Sequence, residues 1–124
     1  MTEPTLFSIG HSNHDEPAFL ALLGRHNIAT VVDVRSAPYS RFAPHFNQDN
    51  VRQALKAVGI GYAFGGEKLG GRPDDPGLYK RGEIPDGHAD YLKLVDYPAV
   101  ARQPFFQAGV DRLLDIGAQG PTAM

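Results

Sequence analysis

Hydrophobic and polar positions along the chain fall into two rhythms. Thr5-Leu6-Phe7-Ser8-Ile9 is a short apolar run closed by Gly10-His11-Ser12-Asn13, the pattern of a strand and its turn. Phe19, Leu20, Leu22 and Leu23 then supply the apolar face of a helix. Asn13 or Asp15 can cap it, Pro17 suits its first turn, and His26-Asn27 ends it. Ile28 to Val34 predicts a second strand, whose β-branched valines fit burial on both faces. Strand, helix and strand within about 30 residues form a βαβ unit, for which a right-handed crossover is expected.

Tyr39 to Phe46 is irregular and rich in proline and aromatics, as in loops that cover something. Asn47 is placed to cap a second helix with Val51, Leu55 and Val58 at i, i+4 and i+7 and Gly59 as its stop. Ile60 to Phe64 reads as a third strand. Gly65, Gly66, Gly70 and Gly71 then open a stretch to Gly87 composed mostly of turn formers and charge. Helical spacing returns from His88 to Tyr97, where Pro98 interrupts. Pro104 opens a last helix bearing Phe106, Val110, Leu113, Leu114 and Gly117, with Gly120 to end it. Pro121-Thr122-Ala123-Met124 reads as a fourth strand. The expected fold class is α/β, a mostly parallel sheet of about four strands flanked by helices, with a long irregular excursion after the third strand. A single α/β domain spanning 1–124 is expected at this length.

Composition narrows the chemistry. With no cysteine among 124 residues, a disulfide, a thiolate metal site and a cysteine nucleophile are excluded from this chain. No apolar run approaches the roughly 20 residues of a membrane span, and Met1-Thr2-Glu3-Pro4 does not start like a signal peptide, so a cytoplasmic location and no membrane partner are expected. The net charge of −2 gives no general attraction to nucleic acid. Its distribution is uneven: nine Lys/Arg against five Asp/Glu from Arg25 to Arg81, and three against nine elsewhere. That central excess is either solvated surface or an anion-binding face.

If the strands are parallel, the segments after the first three converge on one edge of the sheet, where ligands bind in open α/β folds. Gly10 permits a tight turn into a helix start at which Ser12 adds a hydroxyl. Arg35, Arg41 and Arg72 offer planar donor forks suited to phosphate or carboxylate, beside the hydroxyl of Ser36. Gly70 and Gly71 would let a ligand approach the backbone. Asp33 and Glu67 would orient the arginines. The competing reading pairs Arg35 with Asp33 or Glu67 for structure alone. His11 with Asp33 could act as an oriented general base. His11 and His14 have a metal-compatible spacing without an obvious third ligand, so neither a metal nor another cofactor is expected. Tyr39, Phe42, His45 and Phe46 either stack on a ring or pack their loop onto the protein.

Ser8-Ile9-Gly10-His11-Ser12-Asn13, Val32-Asp33-Val34-Arg35-Ser36 with Pro38 and Ser40-Arg41, Phe46-Asn47 and Leu69-Gly70-Gly71-Arg72 together resemble the ordered motifs of the domain of unknown function 488 family. The resemblance runs through Phe106-Gln107-Ala108-Gly109 to Met124 and implies a compact α/β domain. It also implies a C-terminal segment with a cysteine directly after the last strand and a later Cys-His-Arg, neither of which is present. If those cysteines serve the family's chemistry, this chain is catalytically incomplete. The Asp33-Val34-Arg35 triplet is also similar to the strand-end triplet of rhodanese-like domains, an analogy of fold that assigns no sulfur transfer here.

The expected function is therefore recognition of a small anionic ligand, of phosphate type, at the carboxyl edge of the sheet. Arg35, Arg41 and Arg72 would hold its charge, and His11 and Ser12 would donate hydrogen bonds. The alternatives are a nucleic-acid-handling module, with Tyr39, Phe42 and Phe46 stacking bases, and a structural domain with no ligand.

Overall fold

The computed structural model describes residues 5–10, 15–39, 44–86 and 91–124. Within them one parallel sheet forms from β1 (Leu6–Phe7), β2 (Thr30–Asp33), β3 (Gly61–Phe64) and β4 (Thr122–Ala123), in the order β1-β4-β2-β3. The fourth strand therefore lies inside the sheet, pairing with both β1 and β2, and Thr122 and Ala123 are fully enclosed. The predicted first strand is longer than the paired one. Its flanks still bond to the β4 segment, Thr122 N–H donating to the Thr5 carbonyl at 3.0 Å and Ile9 N–H to that of Met124 at 2.9 Å.

Helix α1 (Glu16–Arg25) starts where Asp15 accepts from the Ala18 N–H at 2.8 Å, with Pro17 in its first turn. It ends at His26, after which Asn27 turns the chain with φ 55°. Asn47 occupies the N-cap position of α2 (Gln48–Ala57), but its side chain makes no capping hydrogen bond. Val51 and Leu55 are buried, whereas Val58 is 53% exposed because α2 has already ended. Phe19 and Leu23 of α1 meet Val51 and Leu55 of α2 over Val31 and Ala123 in the main core.

On the opposite face, Val32 looks toward α6 (Pro104–Gln119), which buries the stripe Gly109, Leu113 and Gly117. Leu114, expected on that stripe, falls one position off it and is 40% exposed. Successive residues of a strand point to opposite faces, so Val31 and Val32 pack against different layers.

The glycine-rich excursion carries more regular structure than its composition suggests. A one-turn helix, α3 (Gly66–Leu69), follows β3 directly, and a 3-10 turn spans Pro76–Leu78. Tyr79 then bridges antiparallel to Val95. The predicted helix from His88 to Tyr97 is instead two short helices, α4 (Tyr91–Leu94) and α5 (Tyr97–Ala101), with residues 87–90 outside the described ones. Pro98 does not interrupt a helix but sits in the first turn of α5, where its missing N–H costs nothing. Leu78, Tyr79, Val95 and Val100 bury one another in a second small core. No helix among the described residues is long and apolar enough to cross a membrane.

Candidate functional site

The chain leaves β2 toward the face that carries α2, and leaves β3 toward the face that carries α3 and α6. Such divergence between neighbouring parallel strands opens a crevice at their carboxyl ends. Asp33 closes β2 there, its side chain 6% exposed. Burial of a carboxylate requires partners, and two elements provide them. Arg35 donates from Nε to Oδ1 at 2.8 Å and from Nη2 to Oδ2 at 2.7 Å, and its backbone N–H adds a contact to Oδ1 at 3.2 Å. Tyr62, reaching over from β3, donates its hydroxyl to Oδ2 at 2.7 Å.

Burial would raise the Asp33 pKa, but the Arg35 and Tyr62 hydrogen bonds and the Arg35 charge outweigh it, and the carboxyl is held below its ordinary range. The Asp33 hydrogen bond in turn strengthens the protonated state of Arg35. For Tyr62, burial first and then the bond to an acceptor carboxylate push ionisation well above the ordinary phenol value. At neutral pH the cluster is one carboxylate, one guanidinium and one neutral phenol. Asp33 is thus engaged by Arg35 and Tyr62 on both oxygens, while His11, its expected partner as a general base, lies outside the described residues.

The two loops that bound the crevice are sealed together at one point. A Cβ on Gly66 would fall onto the Arg35 carbonyl, and one on Gly70 onto the Ser36 hydroxyl. The close approach at Gly70 is therefore to Ser36, not to open ligand space. Ser36 Oγ in turn accepts the Arg72 backbone N–H at 2.9 Å. The Arg72 guanidinium lies 4.5 Å from the centroid of the Tyr91 ring, and the Tyr97 hydroxyl donates to the Gly71 carbonyl at 3.3 Å.

Open space remains on either side of this seal, and Arg35 lines both parts of it. On the α1/α2 side lies a cavity of about 300 Å³, walled by Ile9, Phe19, Val31, Phe46, Val51 and Met124 with Gly10 at its edge and Asp33, Arg35 and Tyr62 as its polar part. Toward the excursion lies a more open recess bounded by Arg35, Ser36, Tyr39, Gly71, Arg72 and Tyr97.

The turns after β1, β2 and β3 thus meet along one edge. Of the residues singled out from sequence, Gly10, Asp33, Arg35, Ser36, Gly71 and Arg72 border these two spaces. Glu67 is exposed, forms no ion pair among the described residues, Arg35 and Arg72 included, and lines a small cavity on the α6 side. His11, Ser12, His14, Arg41 and Phe42 lie outside the described residues. Phe46 is 2% exposed and meets Phe19 edge to face with centroids 5.0 Å apart, so it packs its loop down onto α1. Tyr62, Tyr91 and Tyr97 join the site without a local signal in the sequence. Tyr62 could be found only through the register of β2 on β3, which sets it opposite Val31 and so on the face that Asp33 shares.

The family described as Domain of unknown function DUF488 covers residues 17–124. No curated protein and no solved structure matches the chain.

Proposed function

The chain belongs to the family Domain of unknown function DUF488, and because that description names no activity, we propose from the site itself that the protein binds a small anionic ligand at the carboxyl edge of its sheet. The observation that carries this reading is the unequal use of Arg35. A guanidinium has five N–H donors; Asp33 takes Nε and one Nη2 hydrogen, and the side chain is still 28% exposed between the two spaces. Since Asp33 cancels the Arg35 charge, the excess positive charge of the rim among the described residues comes from Arg72, which is exposed beside Ser36. A phosphate or carboxylate group between Arg35 and Arg72 would gain a forked donor already oriented by Asp33 and a second charge.

Titration calorimetry with inorganic phosphate tests the reading, comparing the native chain with Arg72→Ala. Arg72 is exposed, so its removal spares the fold. Loss of one charge-assisted contact should weaken binding by about tenfold. Equal affinity in the two proteins, or no heat of binding in the native one, refutes the proposal. Affinity that falls steeply with salt, with a slope of several phosphates, would instead favour nucleic acid.

A further inference from the structure

Resting on that reading, we infer that the cavity behind the rim receives the carbon skeleton of the same ligand, and that the ligand is a ring-bearing organic anion of the aryl phosphate class, not a sugar phosphate. Three observations carry this. The volume, about 300 Å³, is twice the roughly 150 Å³ in which an apolar protein cavity holds a benzene ring. Its walls are Ile9, Phe19, Val31, Phe46, Val51 and Met124, which offer hydrocarbon and aromatic surface.

The polar groups of the cavity, third, have little left to give. Asp33 Oδ1 accepts from the backbone N–H and Nε of Arg35, and Oδ2 from Arg35 Nη2 and the Tyr62 hydroxyl. A carboxylate has about four lone-pair positions, so Asp33 has no acceptor capacity left for the hydroxyls of a sugar. Tyr62 spends its one proton on Asp33. The Tyr62 oxygen is then the one side-chain oxygen left to accept among the described residues that line the cavity, so a hydroxylated skeleton would leave most of its donors unpaired, a penalty that selects against it. An aromatic ring loses nothing there, while its anionic group stays at Arg35.

Calorimetry with inorganic phosphate, phenyl phosphate and ribose 5-phosphate tests the inference. Phenyl phosphate should bind about tenfold or more tighter than inorganic phosphate through the buried ring. Ribose 5-phosphate should gain nothing over inorganic phosphate. Val51→Phe, which fills the cavity, should erase the gain for the phenyl compound and leave inorganic phosphate unchanged. Gly10→Leu, at a lining position where a Cβ meets no atom within 4 Å, is the second filling variant and serves if Val51→Phe misfolds. Phosphate binding without a phenyl gain, an equal gain for ribose, or a phenyl gain that persists in a correctly folded filled variant overturns the inference alone. No binding of any of the three overturns the anion site beneath it.

Discussion

Arg35→Ala should destabilise the protein in a way that grows with pH, and the growth distinguishes a buried working pair from a decorative one. Asp33 is 6% exposed and Arg35 28% exposed. Breaking a fully buried pair costs about 3–5 kcal/mol, and an exposed one about 0–1. The partial exposure of Arg35 puts the expected cost at neutral pH near 2–3 kcal/mol. In the native protein Asp33 ionises below its ordinary value of 3.8. Its contribution is therefore present above that pH and is lost as pH falls through the depressed value. Without Arg35, the same burial faces only the Tyr62 hydrogen bond, and the carboxyl shifts upward. A raised carboxyl contributes below 3.8 and loses its contribution as pH rises.

The stability gap between native and variant should thus widen as pH rises from below 3.8 to neutrality, by about 1.4 kcal/mol for each unit separating the two Asp33 pKa values. Urea denaturation at intervals across that range measures it. Groups common to both proteins cancel in the difference. Adding Asp33→Asn to the variant should flatten the widening and recover part of the loss at neutral pH. A gap below about 1 kcal/mol that stays constant with pH would refute the reasoning, since it is the behaviour of a solvated surface pair.

Tyr62 should be among the last tyrosines to ionise in an alkaline absorbance titration, and Tyr62→Phe should remove a late component; because its folded pKa is raised, its contribution is present below the ordinary phenol value of 10.0 and is lost as pH rises above it. Gly70→Ala should cost about 1–3 kcal/mol in chemical denaturation, because the new methyl meets Ser36 and the Gly66 carbonyl, whereas Gly10→Ala should be nearly neutral. Similar costs at the two glycines would show that the loops after β2 and β3 are not locked together.

Local signals in the sequence carried the elements but not their neighbours. Ile28 to Val34 reads as a buried strand ending in charge because three residue types change within a few positions, and the paired strand, Thr30–Asp33, falls inside that range. The cap at Asp15 and the stops at Asn27 and Gly59 are likewise local events. Strand order is not. Nothing in Thr122-Ala123 says that it inserts between β1 and β2, because two residues without a flanking pattern carry no directional information. The excursion misled for a related reason. Its glycines and prolines are turn formers taken singly, yet Gly66 and Gly70 are small because backbone passes close to them, a contact made across more than 30 positions. The Asp33–Arg35 pair was among the sequence alternatives; that the same arginine also borders two cavities depends on loops meeting in space.

Strand order also decides how the candidate site is held. Within the described sheet, β1 pairs only with β4, so the Ile9–Gly10 wall of the cavity stands because Ile9 N–H is bonded to the Met124 carbonyl. β4 in turn is fixed by its pairing with β2, the strand that presents Asp33 and Arg35. One wall and the charged rim are therefore coupled through two residues, Thr122 and Ala123, that are enclosed on every side. A perturbation of β4 reaches both sides of the cavity together, while the Arg72 recess, carried by the excursion and its own small core, depends on the seal at Gly66 and Gly70 instead. The two halves of the site rest on separate packing units and meet at Arg35. That side chain is where recognition of a charge and shelter for a ring would have to be coordinated.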